Sequence, residues 1–143
     1  MRIAVIGTGA VGGYFGAKLA AAGHDLVFIA RSKHLEALQA AGLSILSPNG
    51  DLHIQNADFV ASATQAGVVD LILFCVKSYD TQSAAESLGP LLAESTTILS
   101  LQNGIDNPQK IAAVWRDHRI YPGVVYIGAE ISSPGVIRHS NGG

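Results

Sequence analysis

The run Gly7-Thr8-Gly9-Ala10-Val11-Gly12 constrains this chain more than any other feature. A G-x-G-x-x-G spacing is weak by itself in a chain of 143 residues with 16 glycines, and its setting makes it informative. It begins directly after the apolar, β-branched segment Arg2–Ile6. It opens a segment, residues 10–22, in which Val11, Tyr14, Phe15 and Leu19 recur at helical spacing until Gly23 stops the pattern. A second apolar run follows at residues 26–30. Strand, glycine turn, helix and strand within about thirty residues form the βαβ context in which such glycines hold a dinucleotide. Gly7 then makes the tight turn, Gly9 lets backbone approach a pyrophosphate, and Gly12 lets the helix lie close to the strand. The helix start adds unpaired N–H groups and partial positive charge for phosphate. The bland alternative is a glycine-rich turn with no ligand.

The rest of the chain repeats the rhythm. Ser32 is placed to cap a helix through Ala41, with Gly42 as its stop, and residues 43–46 and 52–54 flank Ser47-Pro48-Asn49-Gly50-Asp51 as a small hairpin. Strands are expected at 69–76, 96–101 and 119–127, and helices at 81–92 and 107–115. The tail carries a turn at Ser133-Pro134-Gly135 and a short β-like run at 136–139. Strands alternating with helices define an α/β fold, Rossmann-type and doubly wound, a mostly parallel sheet with helices on both faces. One dinucleotide-binding domain over residues 1–143 is the expected organisation.

Composition narrows the function classes. Nine Lys+Arg against eleven Asp+Glu give a net charge of -2. With no basic block, there is no electrostatic footprint for nucleic acid or an anionic membrane. The uncharged stretch from Ile3 to Ala17 resembles a leader, but its glycines interrupt the apolar helix a leader requires, and no stretch has the length of a membrane span. A soluble, cytoplasmic protein is expected. The single Cys75 forms no internal disulfide and reads as a buried strand thiol in a reducing compartment. His24, His34, His53, His118 and His139 show no metal-ligand spacing, so no metal is assigned. Only 14% of residues are charged against 48% hydrophobic, which leaves an excess of apolar material to be covered.

The end of the second strand discriminates between cofactors. NAD sites place a carboxylate there for the ribose 2′-OH, whereas NADP sites use arginine near the 2′-phosphate. The residues here are Ala30-Arg31-Ser32-Lys33, which favours NADP(H). Arg31 as a solvated surface cation is the competing reading. Lys77 follows the strand at 69–76, on the carboxyl edge where open α/β sheets bind ligands. It is placed either to reach a cofactor ribose or substrate oxygen, or to be an ordinary surface lysine. Gln102-Asn103-Gly104 occupies the same edge one strand on, although Asn-Gly is also a common turn pair.

Together the glycine run, Arg31, Val76-Lys77-Ser78, Leu101-Gln102-Asn103-Gly104 and Pro134-Gly135-Val136-Ile137-Arg138-His139 resemble the N-terminal half of the ketopantoate reductase (2-dehydropantoate 2-reductase) family, over essentially the whole chain. The resemblance implies reduction of 2-dehydropantoate to (R)-pantoate with NADPH, in the pantothenate and coenzyme A route. It implies that Gly7, Thr8, Gly9, Ala10, Val11 and Gly12 hold the pyrophosphate, Arg31 the 2′-phosphate and Lys77 the ribose side. Asn103 would stand beside nicotinamide and substrate, and Ala129 would give a backbone contact to the cofactor. The family's second, helical domain, with its proton-donating lysine, has no counterpart before Gly143, so no catalytic acid is assigned in this chain. The excess apolar surface, along the last strands, is expected to pack on that helical domain or on a second copy. Two other readings remain open: a non-catalytic dinucleotide-sensing module, and the front half of another two-domain dehydrogenase of the 6-phosphogluconate or 3-hydroxyacyl-CoA type.

Overall fold

The computed structural model describes residues 1–143. In chain order it contains β1 (Arg2–Ile6), α1 (Ala10–Ala21), β2 (Asp25–Ile29), α2 (Ser32–Ala41), β3 (Leu43–Leu46), β4 (Leu52–Ile54), β5 (Asp58–Val60), α3 (Ala63–Ala66), β6 (Leu71–Phe74), α4 (Thr81–Glu86), β7 (Thr97–Ser100), α5 (Asn107–Val114), β8 (Arg119–Pro122), β9 (Ile127–Ser133) and β10 (Val136–Gly142). Six strands form one sheet in the order β5-β2-β1-β6-β7-β8, and every neighbouring pair is parallel. Side chains alternate across it as a parallel sheet covered on both faces requires. Ile3, Val5, Leu26 and Phe28 pack toward α1 and α2, whereas Ala4, Ile6, Val27, Ile72, Phe74 and Ile98 pack toward α3, α4 and α5.

A second sheet, β4-β3-β10-β9, covers the far side of α1. The hairpin expected at 43–54 is its antiparallel pair β3–β4, and β10 runs parallel to β3 and antiparallel to β9. This makes α1 the middle of three layers. A Cβ on Gly16 would collide with Phe28 of the first sheet, one on Gly13 with Ile137 of the second. Buried Tyr14 lies against His139 of β10, ring centroids 4.5 Å apart. A helix covered on two sides has little polar face to keep, which accounts for its largely apolar composition, with Lys18 its one charged residue, and for part of the charge deficit.

Several boundaries differ from the sequence-based expectation. The helix expected over 81–92 ends at Glu86, because the Pro90 ring would meet the carbonyl four residues before it; a 3₁₀ turn at Gly89–Leu91 follows. The strand expected over 119–127 divides at Pro122-Gly123, where the chain leaves the first sheet and re-enters as β9 of the second. β5 and α3 are too short to show a periodicity. Ser32 does not cap α2: Arg31 takes the N-cap position, no side chain bonds there, and Ser32 adopts a left-handed φ of 52°.

Arg2 ties down the amino edge of the main sheet. Its guanidinium reaches Asp25 at 2.6 Å, Asp58 at 3.0 Å and the Ala66 carbonyl at 3.0 Å, and its N–H donates to Asp70 at 2.7 Å. Arg2→Ala is expected to lower stability by about 1–2 kcal/mol, since the bonds are charge-assisted but partly solvated. An unchanged urea midpoint would show that this cluster contributes nothing. No helix is long and apolar enough to cross a membrane.

Candidate functional site

Counted in chain order, the strands of the main sheet run 3-2-1-4-5-6, so the crossovers reverse direction between β1 and β6. At such a switch point the loops leaving the two strands diverge and leave a crevice outside their carboxyl ends. Gly7 leaves β1 with a φ of 87°, and a Cβ there would stand 2.9 Å from the backbone nitrogen of Val76, which leaves β6. The two loops can lie this close because position 7 is glycine. Thr8 is buried and donates twice to the Ile29 carbonyl, from its N–H at 3.2 Å and its hydroxyl at 3.0 Å, tying the turn to the end of β2.

Gly9 and Gly12 do opposite work. A Cβ on Gly12 would stand 2.5 Å from the Gly7 carbonyl oxygen and 2.9 Å from Val5 Cγ1, whereas one on Gly9 would meet nothing within 4 Å. Protein packing therefore demands glycine at 12 but not at 9, where the open side of the turn is free for a ligand. α1 starts at Ala10 with no acidic residue in its first turn and no side-chain cap, so its first N–H groups stay available to an anion.

The turn forms one wall of a cavity of about 670 Å³. Of the residues singled out in the sequence, Gly7, Thr8, Gly9, Arg31 and Lys77 line it. Ala10 and Val11 lie in the first turn of α1 behind the rim, and Gly12 lies beneath it against β1. Asn103 lies outside the enclosed volume on the loop after β7, an exposed residue whose backbone is pinned and whose side chain makes no hydrogen bond. Ala129 is in β9, paired with His139, also outside the cavity. Arg31 stands on the lip after β2, exposed and in no ion pair. No carboxylate stands at the end of β2, the first beyond it being Glu36 within α2; Asp80 and Glu86 also line the cavity. The left-handed Ser32, costing on the order of 1 kcal/mol, starts α2 immediately beside Arg31. A phosphorylated dinucleotide fits this donor set: a turn open to phosphate at one end and an unpaired cation at the other.

Three further wall elements line the cavity, and of them only Cys75 carried a reading in the sequence, as a buried thiol. The β5–α3 connection, Ala61-Ser62, and the start of α3, Ala63-Thr64, close one side. Cys75 lines the floor, where burial pushes its thiol up to about 12, so it stays protonated at neutral pH. His34 on α2 accepts the Gly135 N–H on Nδ1 at 3.1 Å, while its Nε2 is buried without a partner. Desolvation holds its imidazole below the ordinary 6.5, with the nearby Thr8 backbone pulling weakly the other way. The unfolded chain therefore takes the proton first on acidification. The stability this site contributes is complete above pH 6.5 and is lost as the pH falls through the folded-state value. Melting temperatures between about pH 8 and about pH 5 should fall more for the unmodified chain than for His34→Gln. Parallel curves would contradict this.

A parallel sheet in this order, with a glycine turn and a cleft at its switch point, defines a Rossmann-type domain. The family model described as ketopantoate reductase PanE/ApbA matches residues 3–143, and the chain belongs to that family. It is 32% identical over 163 residues to a 2-dehydropantoate 2-reductase of Mesorhizobium japonicum, covering 99% of this chain and 50% of that protein. It is 33% identical over 144 residues to one of Halobacterium salinarum, covering 100% and 47%. The crystal structure of 2-dehydropantoate 2-reductase from Geobacter metallireducens superposes with a TM-score of 0.94 at 34% identity, over 100% of this chain and 47% of that one. The chain thus spans about half the length of the curated relatives it matches.

Proposed function

We propose that this chain is the NADP(H)-binding part of an oxidoreductase that reduces a 2-oxo acid, 2-dehydropantoate to (R)-pantoate being the reaction its family membership favours. The observation that carries the reading is the pairing, in one cleft, of an unobstructed glycine turn with Arg31 on the lip and no carboxylate at the end of β2. When bound, NADPH supplies the hydride that, with one proton, converts the ketone to an alcohol. The chain's own work is to hold and aim. The free N–H groups of the first turn of α1, beside Gly9, receive the pyrophosphate, Arg31 pairs with the 2′-phosphate, Lys77 donates on the ribose side, and Asn103 stands at the nicotinamide end. Ala129 is the least supported of the assigned residues, because β9 places it in the second sheet.

Tyr79, Ile105, Val124 and Tyr126 stand 78% or more exposed on the loops leaving β6, β7 and β8. We read this carboxyl edge as the face that packs on the remaining length found in the relatives. The lone Cys75 supports a reducing, cytoplasmic setting. A polypeptide of residues 1–143 is expected to bind NADPH without consuming it when 2-dehydropantoate is added. Steady-state loss of NADPH absorbance would place the proton donor within these residues. For the protein that carries this segment, failure to consume NADPH with any 2-oxo acid would overturn the reading.

A further inference from the structure

The loops after β6 and β7 are joined by a polar network that the cavity does not require. Ser100 Oγ donates to Gln102 Oε1 at 3.1 Å, and Gln102 Nε2 donates to the Val76 carbonyl at 2.9 Å and to Thr81 Oγ1 at 2.8 Å. Thr81 in turn donates to Asn107 Oδ1 at 3.1 Å. Asn107 Nδ2 donates to the Asn103 carbonyl at 2.7 Å and to Ser78 Oγ at 3.2 Å, and Ser78 Oγ also donates to the Asn103 carbonyl at 3.1 Å. Ser100, Thr81, Asn107 and Gln102 are all buried.

The network has one sense. Rotating the Asn107 amide would set its oxygen against the Asn103 carbonyl, and rotating Gln102 would do the same at Val76, so each hydroxyl and amide has a single satisfying orientation. It starts in β7 and ends on Asn103, whose carbonyl accepts two bonds. On the way it fixes Val76 and Ser78, the residues on either side of Lys77. Lys77 and Asn103, by contrast, are exposed and make no side-chain bonds of their own. Two loops from different strands are thus held rigidly at their backbones while the side chains between them are left free.

The geometry points to Ser78, Thr81, Gln102 and Asn107 as positioning residues that set Lys77 against Asn103 and so fix where the nicotinamide half of the dinucleotide lies. This rests on the dinucleotide reading above. It gives Asn107 and Thr81 a role in ligand geometry although neither lines the cavity.

Titration with two probes separates this role from a general structural one: NADPH, and the half-molecule 2′-phospho-ADP, which lacks the nicotinamide riboside. Asn107→Ala and Thr81→Val are expected to weaken NADPH about 5- to 10-fold and to leave 2′-phospho-ADP within about 2-fold, the loss expected of a few neutral hydrogen bonds. Thr81→Ser, which keeps the hydroxyl, should restore NADPH binding. Ser78→Ala, at an exposed position that does not threaten folding, should weaken NADPH about 2- to 3-fold. Equal losses for both probes, or unchanged NADPH affinity in the Ser78 and Thr81 variants, would overturn the proposal. If the unmodified chain bound neither probe, the dinucleotide reading itself would fail, and this proposal with it.

Discussion

Gly12→Val is expected to unfold the chain under conditions in which Gly9→Ala leaves it folded. At position 12 the added carbons meet the Gly7 carbonyl and the Val5 side chain of the central strand, and neither has room to retreat without parting α1 from β1. Overpacking costs about 1–3 kcal/mol where neighbours can relax. Against backbone on one side and a three-layer stack around α1 on the other, a loss of about 4 kcal/mol or more is expected, much of the roughly 5–15 kcal/mol that holds a domain together. Gly9 has φ -90° and ψ -159°, which alanine adopts freely, and open space where its Cβ would stand. Gly9→Ala should change stability by no more than about 0.5 kcal/mol. It should weaken NADPH about 10-fold or more, because the methyl occupies the approach a phosphate needs. Urea unfolding and NADPH titration on both variants read the two effects separately. Equal destabilisation by the two changes, or undiminished NADPH affinity in Gly9→Ala, would remove Gly9 from the site.

Arg31→Asp is expected to narrow or reverse the preference for NADPH over NADH. Arg31 is exposed and in no ion pair, and it stands at the N-cap of α2, where aspartate is a favoured cap, so the replacement should leave the unfolding midpoint in place or raise it, and a loss of NADPH affinity reports on the ligand. Charge-assisted bonds from a guanidinium to phosphate contribute about 1.5–3 kcal/mol, and an introduced carboxylate repels that phosphate while accepting a bond from a ribose hydroxyl. NADPH affinity should fall about 10- to 100-fold while NADH holds or improves. The NADPH loss should shrink at high salt, since the lip is open to screening. Equal losses for the two cofactors would show that Arg31 does not read the 2′-phosphate.

The parts of the molecule legible in the sequence are those whose causes are local. β1, the glycine turn, α1 and β2 follow one another without interruption, and the residues that shape the turn are the residues in it. Arg31 and Lys77 could be placed because strand ends in a parallel sheet share one edge. The second sheet was not legible, because β10 joins β3 in parallel pairing across most of the chain's length and only the β3–β4 and β9–β10 turns leave a local trace. Nor did the run from Ala10 to Ala21 announce that its helix would be covered twice; its scant polar face was the sign. His34 went unread for the same reason. Its one partner, the Gly135 N–H, and the nearby Thr8 backbone come from distant loops that meet only in the fold. The network from Ser100 to Asn103 likewise joins residues that in sequence look like ordinary cap and turn chemistry.

The apolar excess divides between two causes once the layers are known. One part lies within α1 and the two sheets that enclose it; the other stands exposed at Tyr79, Ile105, Val124 and Tyr126, on the edge that carries Lys77 and Asn103.

On the proposed reading this cleft holds a dinucleotide and selects it by its 2′-phosphate. Calorimetric titration of the unmodified chain with NADPH and with NADH, in one buffer at low salt, tests it most directly. NADPH is expected to bind at least about 10-fold more tightly than NADH, the discrimination one charge-assisted phosphate contact provides. Equal affinity for the two, tighter binding of NADH, or no binding of either would contradict it.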